Sequence, residues 1–212
     1  VIGEVGSSRV IAHQLYSIEH TTVCLASNAV GDFLPHFVVF KNNAPSEMEW
    51  RRKLPDLAHT STESGYVNST TFLQYFLKVF VPGTRRHKKK LLIMDNLASH
   101  ITLKVIRLAV ENGIEILALP AHSSHLLQPM DKVFGLLKYR MWQEASTAQL
   151  LYGTEVMVTK AKFPLLLHHS VTNHLKGQIM RAGWKNSGCW PIDRKQIDNR
   201  YLIDQFESEN GN

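Results

Sequence analysis

"LLIMDNLASHITLKVIRLAVENGIEILALP", residues 91–120, is the stretch that decides the fold. Its first five residues form an unalternating, largely apolar run that ends on Asp95. A short run of this kind reads as a central strand covered on both faces. Residues 101–113 follow as a helix with Leu103, Ile106 and Val110 on one face, closed by Asn112 and Gly113. Residues 114–120 are a second strand, stopped by Pro120. Strand, helix, strand in this order is a right-handed crossover, so the two strands run parallel. Ligand sites in such sheets lie beyond the carboxyl ends of the strands, where Asp95 stands.

Downstream, "AHSSHLLQPMDKVFGLLKYRMWQEA", 121–145, brings a second acid. Pro129 suits a first helical turn, where its missing N–H costs nothing. Val133, Leu137 and Met141 recur at helical spacing, with Phe134 widening the stripe, so Asp131 falls in the first turn. An Asp there can simply complement the helix dipole. Two carboxylates converging on a rigid edge suit Mg²⁺, a hard cation that takes oxygen ligands. A pair of such ions roughly 3.5–4 Å apart can clamp both reacting oxygens of a phosphodiester. That clamp calls for a third acid.

Upstream, residues 21–29 and 34–40 are β-rich and flank Gly31-Asp32, the pattern of an antiparallel hairpin. Residues 41–65 lose periodicity and read as a long connection, with Trp50-Arg51-Arg52 as an anchored loop or, alternatively, a nucleic-acid clamp. Residues 68–82 carry Phe72, Phe76 and Phe80 at i, i+4, i+8 after a Ser/Thr cap region, an amphipathic helix ended by Pro82. The basic run "RRHKKK", 85–90, is a solvated turn, a phosphate contact or a nuclear-import patch. The C-terminal part is helical around 171–182 and breaks at Gly183 and Gly188.

Composition bounds the partners. The 212 residues, 44% of them hydrophobic, suffice for one substantial core with a small appendage. A formal charge of +6 and a pI near 9.3 favour an anionic partner. Cys24 and Cys189 make no disulfide framework, and the eleven histidines show no Cys/His zinc spacing. No apolar run approaches the ~20 residues of a membrane helix, and nothing suggests a small-molecule substrate. The first residues carry no signal-sequence pattern and no initiator Met, the expectation for a fragment or excised domain.

Three strings, "LLIMDNLASH", "ILALPAHSSHLLQPMDKVFGLLK" and "IMRAGWKNSGCWPID", resemble in order and spacing the DDE superfamily endonuclease domain of pogo/Tigger-type transposases. Centromere protein B and jerky-like proteins share the pattern. "TTVCLASNAVGDFLPHFVVFKNN" resembles the family's second and third strands, and "SGYVNSTTFLQYFLKVFVP" its following helix. The resemblance implies an α/β, RNase H-like mixed sheet flanked by helices, here lacking the first strand. It implies a nuclease core over 1–150 and a helical extension of the same domain over 151–212. It also implies metal-dependent cleavage and joining of DNA in the nucleus, with Asp95 and Asp131 as the second and third metal-binding acids.

The family's first acid lies in an Asp-Glu-Thr stretch that this sequence does not contain; Glu4, in a Gly-rich segment, and Asp32, in a turn, do not replace it. The expectation is therefore a chain inactive by itself, Mg²⁺ or Mn²⁺ belonging to the intact parent. Ser99 is expected to cap the helix near Ile101. His100, His125, Gln128, Lys132 and Lys138 are candidate DNA contacts of the positioning kind. The tail tryptophans are expected to be packing anchors. A domesticated, non-catalytic nuclear protein that uses the fold for DNA binding or homodimerisation is the alternative reading, and a decayed relic the third. The family's sequence-reading helix-turn-helix module is absent from these residues.

Overall fold

The computed structural model describes residues 20–46, 50–152 and 159–197. Strands β1 (Thr21–Cys24) and β2 (Phe37–Lys41) pair antiparallel, with Thr21 opposite Phe40 and Cys24 opposite Phe37, as the hairpin pattern predicts. Gly31 turns the chain at φ +93°, and a Cβ there would lie 2.4 Å from the Gly177 carbonyl oxygen. Only glycine meets both demands.

A third strand, β3 (Ala58–Thr62), pairs parallel with β2 and corrects the reading of 41–65 as unstructured connection. Its sequence, AHTST, is polar and short, so periodicity does not reveal it; its neighbour β2 supplies the hydrogen bonds and the burial. Trp50 is buried and packs edge-on against His59 of this strand, the anchored-loop reading.

β2 is the centre of the molecule. Phe37, Val38, Val39 and Phe40 are all inaccessible to solvent. Phe37 and Val39 join Phe72, Phe76, Val79 and Val105 on one face; Val38 and Phe40 join Val133, Leu137, Leu167, Leu175 and Met180 on the other. Each such side chain contributes about 1.5–3 kcal/mol by leaving water. Helices therefore cover both faces of this sheet.

Helix α1 (Ser69–Tyr75) starts at Asn68, whose side chain accepts from the Thr71 N–H at 2.9 Å while Thr71 Oγ1 accepts from the Asn68 N–H at 2.8 Å. This reciprocal cap is worth about 1 kcal/mol. Pro82 does not end the helix. A π-helical turn, Phe76–Phe80, intervenes, and α2 (Val81–Thr84) carries Pro82 in its first turn. A proline ring clashes with the carbonyl four residues back in a regular helix. The wider turn, with the Val81 N–H bonded to Phe76 O, opens the ladder just ahead of it.

Strand β4 (Lys90–Met94), helix α3 (Leu103–Glu111) and β5 (Ile114–Ala118) form the expected crossover, with β4 and β5 parallel and Met94 level with Ala118. Three details differ from the sequence reading. Leu91 is 57% exposed, so β4 is not covered on both faces. The cap of α3 is Thr102, not Ser99, whose hydroxyl is buried without a partner among the described residues. Val105 and Ala109 face the core, whereas Leu103, Ile106 and Val110 (73%) face out. The crossover lays α3 on the Leu92, Ile114 and Ile116 side, which selects the stripe through Val105 and Ala109.

A short helix α4 (Ser124–Leu127) leads into the long α5 (Asp131–Tyr152), followed by α6 (Phe163–Ser170), a π-helical turn Val171–Leu175, and α7 (Gln178–Asn186). The expected helix over 171–182 is thus broken at Gly177, and Gly183 lies inside α7 instead of ending it. A Cβ at Gly183 would sit 2.8 Å from Pro129 O and 3.0 Å from Val133 Cγ1. Glycine lets α7 lie directly on the start of α5. Trp190, 59% exposed, is not the packing anchor its motif suggests.

Among the described residues β1 pairs only with β2, and β4 only with β5. Between these two sheets lies a cavity of about 360 Å³, lined by Thr22–Ser27 on one side and Leu91–Asp95 on the other.

Candidate nuclease site

The site is built where β4 ends. Asp95 leaves the strand immediately after buried Met94 and stays half-exposed. His100 Nδ1 is 2.7 Å from Asp95 Oδ1. A carboxylate only accepts, so Nδ1 carries the proton and donates. The imidazole is stacked on the Phe72 ring, centroids 4.2 Å apart. That hydrogen bond holds the Asp95 carboxyl below its usual range, against the opposing effect of partial burial.

Asp131 begins α5, as the sequence predicts. Burial and then the negative charge of Asp95 push its carboxyl above the usual range, while His125, Lys132 and Lys138 pull it back. The two acids thus feel each other's charge, as Asp131 feels that of three of the five expected contact residues. Asp95, His100 and Gln128 line the same cavity, and Asp131 feels the charges of Asp95, His125, Lys132 and Lys138.

Burial and then the Asp95 charge push the Cys24 thiol up to about 12, which puts the end of β1 in the same field. The basic run Arg85–Lys89 is exposed but precedes β4, at the end opposite Asp95. A five-residue strand separates them, roughly 16 Å at strand rise.

Phe72, which orients His100, and Trp184, whose indole N–H donates to Ser27 Oγ at 3.3 Å across the floor of the cavity, are not legible in the sequence. Both act across long sequence separations. The acid followed five positions later by His is a local signal for His100.

Two carboxylates form a hard oxygen donor set of the type Mg²⁺ accepts, with water filling its other positions. No group of three or more His, Cys, Asp or Glu side chains among the described residues is placed to hold a metal. Asp95 and Asp131 are the described carboxylates that would hold such an ion, with His100 hydrogen-bonded to the former as outer partners are.

The mixed α/β domain thus carries one carboxylate at a strand end and another at a helix start. The chain belongs to the DDE superfamily endonuclease family, whose match spans residues 18–173. Membership implies a DNA substrate and divalent-metal dependence for the family's active members. A curated relative from Cochliobolus lunatus, named MFS-type transporter clz9, is 33% identical over 135 residues, covering 62% of this chain and 15% of that protein. The chain thus corresponds to a small part of that relative. No described helix is long and apolar enough to cross a membrane. No solved structure gives a significant match.

Proposed function

We propose that this chain is the catalytic core of a pogo/Tigger-type transposase, in which Asp95 and Asp131 are two of three acids that hold Mg²⁺ or Mn²⁺ for cleavage and joining of DNA. The observation that carries this reading is Asp95 at the C-terminal end of β4, hydrogen-bonded by His100, with Asp131 opening α5 within reach of its charge. The divalent ion, when bound, supplies charge stabilisation and an activated oxygen nucleophile. The chain's own residues do the positioning. His100 orients Asp95, and Lys132 and Lys138 hold phosphate near Asp131.

The third acid belongs to a strand seated between β1 and β4, where the two sheets leave a cavity about 360 Å³ in size. A strand there would pair with both facing edges and end beside Asp95. Because no Asp-Glu-Thr stretch occurs in these residues, the expectation is that the chain binds one ion weakly and does not cut. The exposed run Arg85–Lys89, remote from the acids, fits a nuclear-import patch better than a contact at the cut site.

The test is incubation of the chain with supercoiled DNA and Mg²⁺ or Mn²⁺, alongside Mn²⁺ binding followed by paramagnetic relaxation. Weak Mn²⁺ binding that is lost in Asp95→Asn, without cleavage, is expected. Cleavage by the chain alone that vanishes in Asp95→Ala would overturn the two-acid account. Equal Mn²⁺ binding in wild type and variant would remove Asp95 from the site.

A further inference from the structure

A small built loop follows α7 and takes no part in the paired acids. Gly188 turns it at φ +67°, where a Cβ would lie 2.5 Å from the Asp193 carbonyl oxygen, so glycine alone fits. The Asp193 N–H donates to Gly188 O at 3.1 Å and the Trp190 N–H to Trp184 O at 3.2 Å. Cys189 and Ile192 pair as an isolated antiparallel bridge. Asp193 accepts from the Lys195 N–H at 3.0 Å and from Gln196 Nε2 at 2.9 Å. Fixed in this way, the loop still leaves Trp190 59% and Ile192 83% exposed.

The loop stands at the edge that carries Asp95. The Cys189 thiol donates to Leu127 O at 3.1 Å, and the next residue, Gln128, lines the cavity that Asp95 and His100 border. Trp184, to which the Trp190 backbone is bonded, lines the same cavity. The charge here is one-sided. From Gln178 to Ile197 the cations are Arg181, Lys185, Arg194 and Lys195, all exposed, and the one acid is Asp193. That acid feels the Lys185 charge, and both its oxygens accept from the loop's own donors.

An exposed aromatic ring among cations suits one kind of partner. Cations hold phosphates without reading sequence. The ring binds a base by stacking, which every base offers. Inside a duplex both faces of a base are covered by its neighbours, so only an unpaired, unstacked base reaches such a ring. An apolar protein surface would cover Trp190 and Ile192 but leave the cations unmatched. We propose that the Gly188–Gln196 loop is a docking surface for an unpaired DNA strand at the acid edge, with Trp190 stacking a base and Lys185, Arg194 and Lys195 holding the phosphates beside it. Because the backbone is already fixed, little ordering opposes binding. The choice of DNA as the strand rests on the nuclease reading; the surface itself requires neither the acids nor a metal ion.

The test uses the whole 212-residue chain in a chelating buffer. Binding of an end-labelled oligothymidine is followed by fluorescence anisotropy, with the same strand annealed to its complement as the control. Trp190→Ala weakens single-strand binding about tenfold, within the range for one stacked base, and leaves duplex binding unchanged. Trp190→Phe restores most of the loss. Replacing Arg194 and Lys195 together by Ala flattens the dependence of log affinity on log salt by about 0.7 for each phosphate contact removed. An unchanged melting temperature shows that each variant is folded. Equal single-strand affinity of wild type and Trp190→Ala, or an equal loss for strand and duplex, would overturn the proposal. So would a Trp190→Ala protein that binds DNA normally but sediments as a smaller species than wild type, which would make the loop a protein contact. Tighter binding of the matching oligouridine would overturn the assignment to DNA. With metal chelated throughout, none of these outcomes depends on whether Asp95 and Asp131 hold an ion, so the Mn²⁺ test of the nuclease reading succeeds or fails separately.

Discussion

Lowering the pH should destabilise this protein in large part through one side chain, His36. Burial, and then the neighbouring His168, pull its pKa from the ordinary 6.5 down to about 4. Between those values the unfolded chain takes up a proton that the folded chain refuses. Stability therefore rises with pH across that window. The full contribution is present above about pH 6.5, declines as pH falls, and levels off below about pH 4. At ~1.4 kcal/mol for each pH unit, the whole drop amounts to roughly 3 kcal/mol. That is a large share of the 5–15 kcal/mol typical of a domain. The assay is urea unfolding at pH 7.5 and 5.0, for wild type and His36→Leu. The leucine variant cannot titrate at this position, so its midpoint should move much less than that of the wild type. If the two proteins lose the same stability between these pH values, His36 is not buried in its neutral form and the reasoning fails.

Two further outcomes follow from the packing around the site. Gly183→Ala places a methyl against Pro129 O and Val133, and should lower stability by about 1–3 kcal/mol, read as a lower melting temperature; an unchanged melting temperature would show that α7 does not press on the start of α5. Cys24, with its thiol raised to about 12, should react with a disulfide reagent at pH 8 at least about tenfold more slowly folded than unfolded, in a Cys189→Ser background; equal rates would place it outside the buried field of Asp95.

Much of the catalytic half was legible along the chain because its signals are local. An apolar run, a capped helix and a second strand fix a parallel pair whichever way the rest folds, and Asp95 follows from the strand's end. Asp131 is equally local, set by Pro129 and the stripe through Val133 and Leu137. Other features were hidden or misleading. AHTST carries no strand pattern, and β3 exists because β2 offers it an edge. Leu103, Ile106 and Val110 form a good apolar face by spacing, yet the crossover geometry buries Val105 and Ala109. Pro82 reads as a terminator, but a π turn absorbs its clash.

The sequence by itself determined the crossover unit, the hairpin, the two acids and the family resemblance, since these depend on residues within one or two elements of each other. Only the tertiary structure decided that Asp95 and Asp131 share one field, that Phe72 stacks beneath the His100 that holds Asp95, and that His36 lies against a cavity with no hydrogen-bond partner among the described residues. Those facts depend on where distant segments meet. The physical reason is that burial and electrostatic coupling are properties of neighbours in space, and a chain's local pattern constrains its own conformation without fixing which remote side chains will surround it.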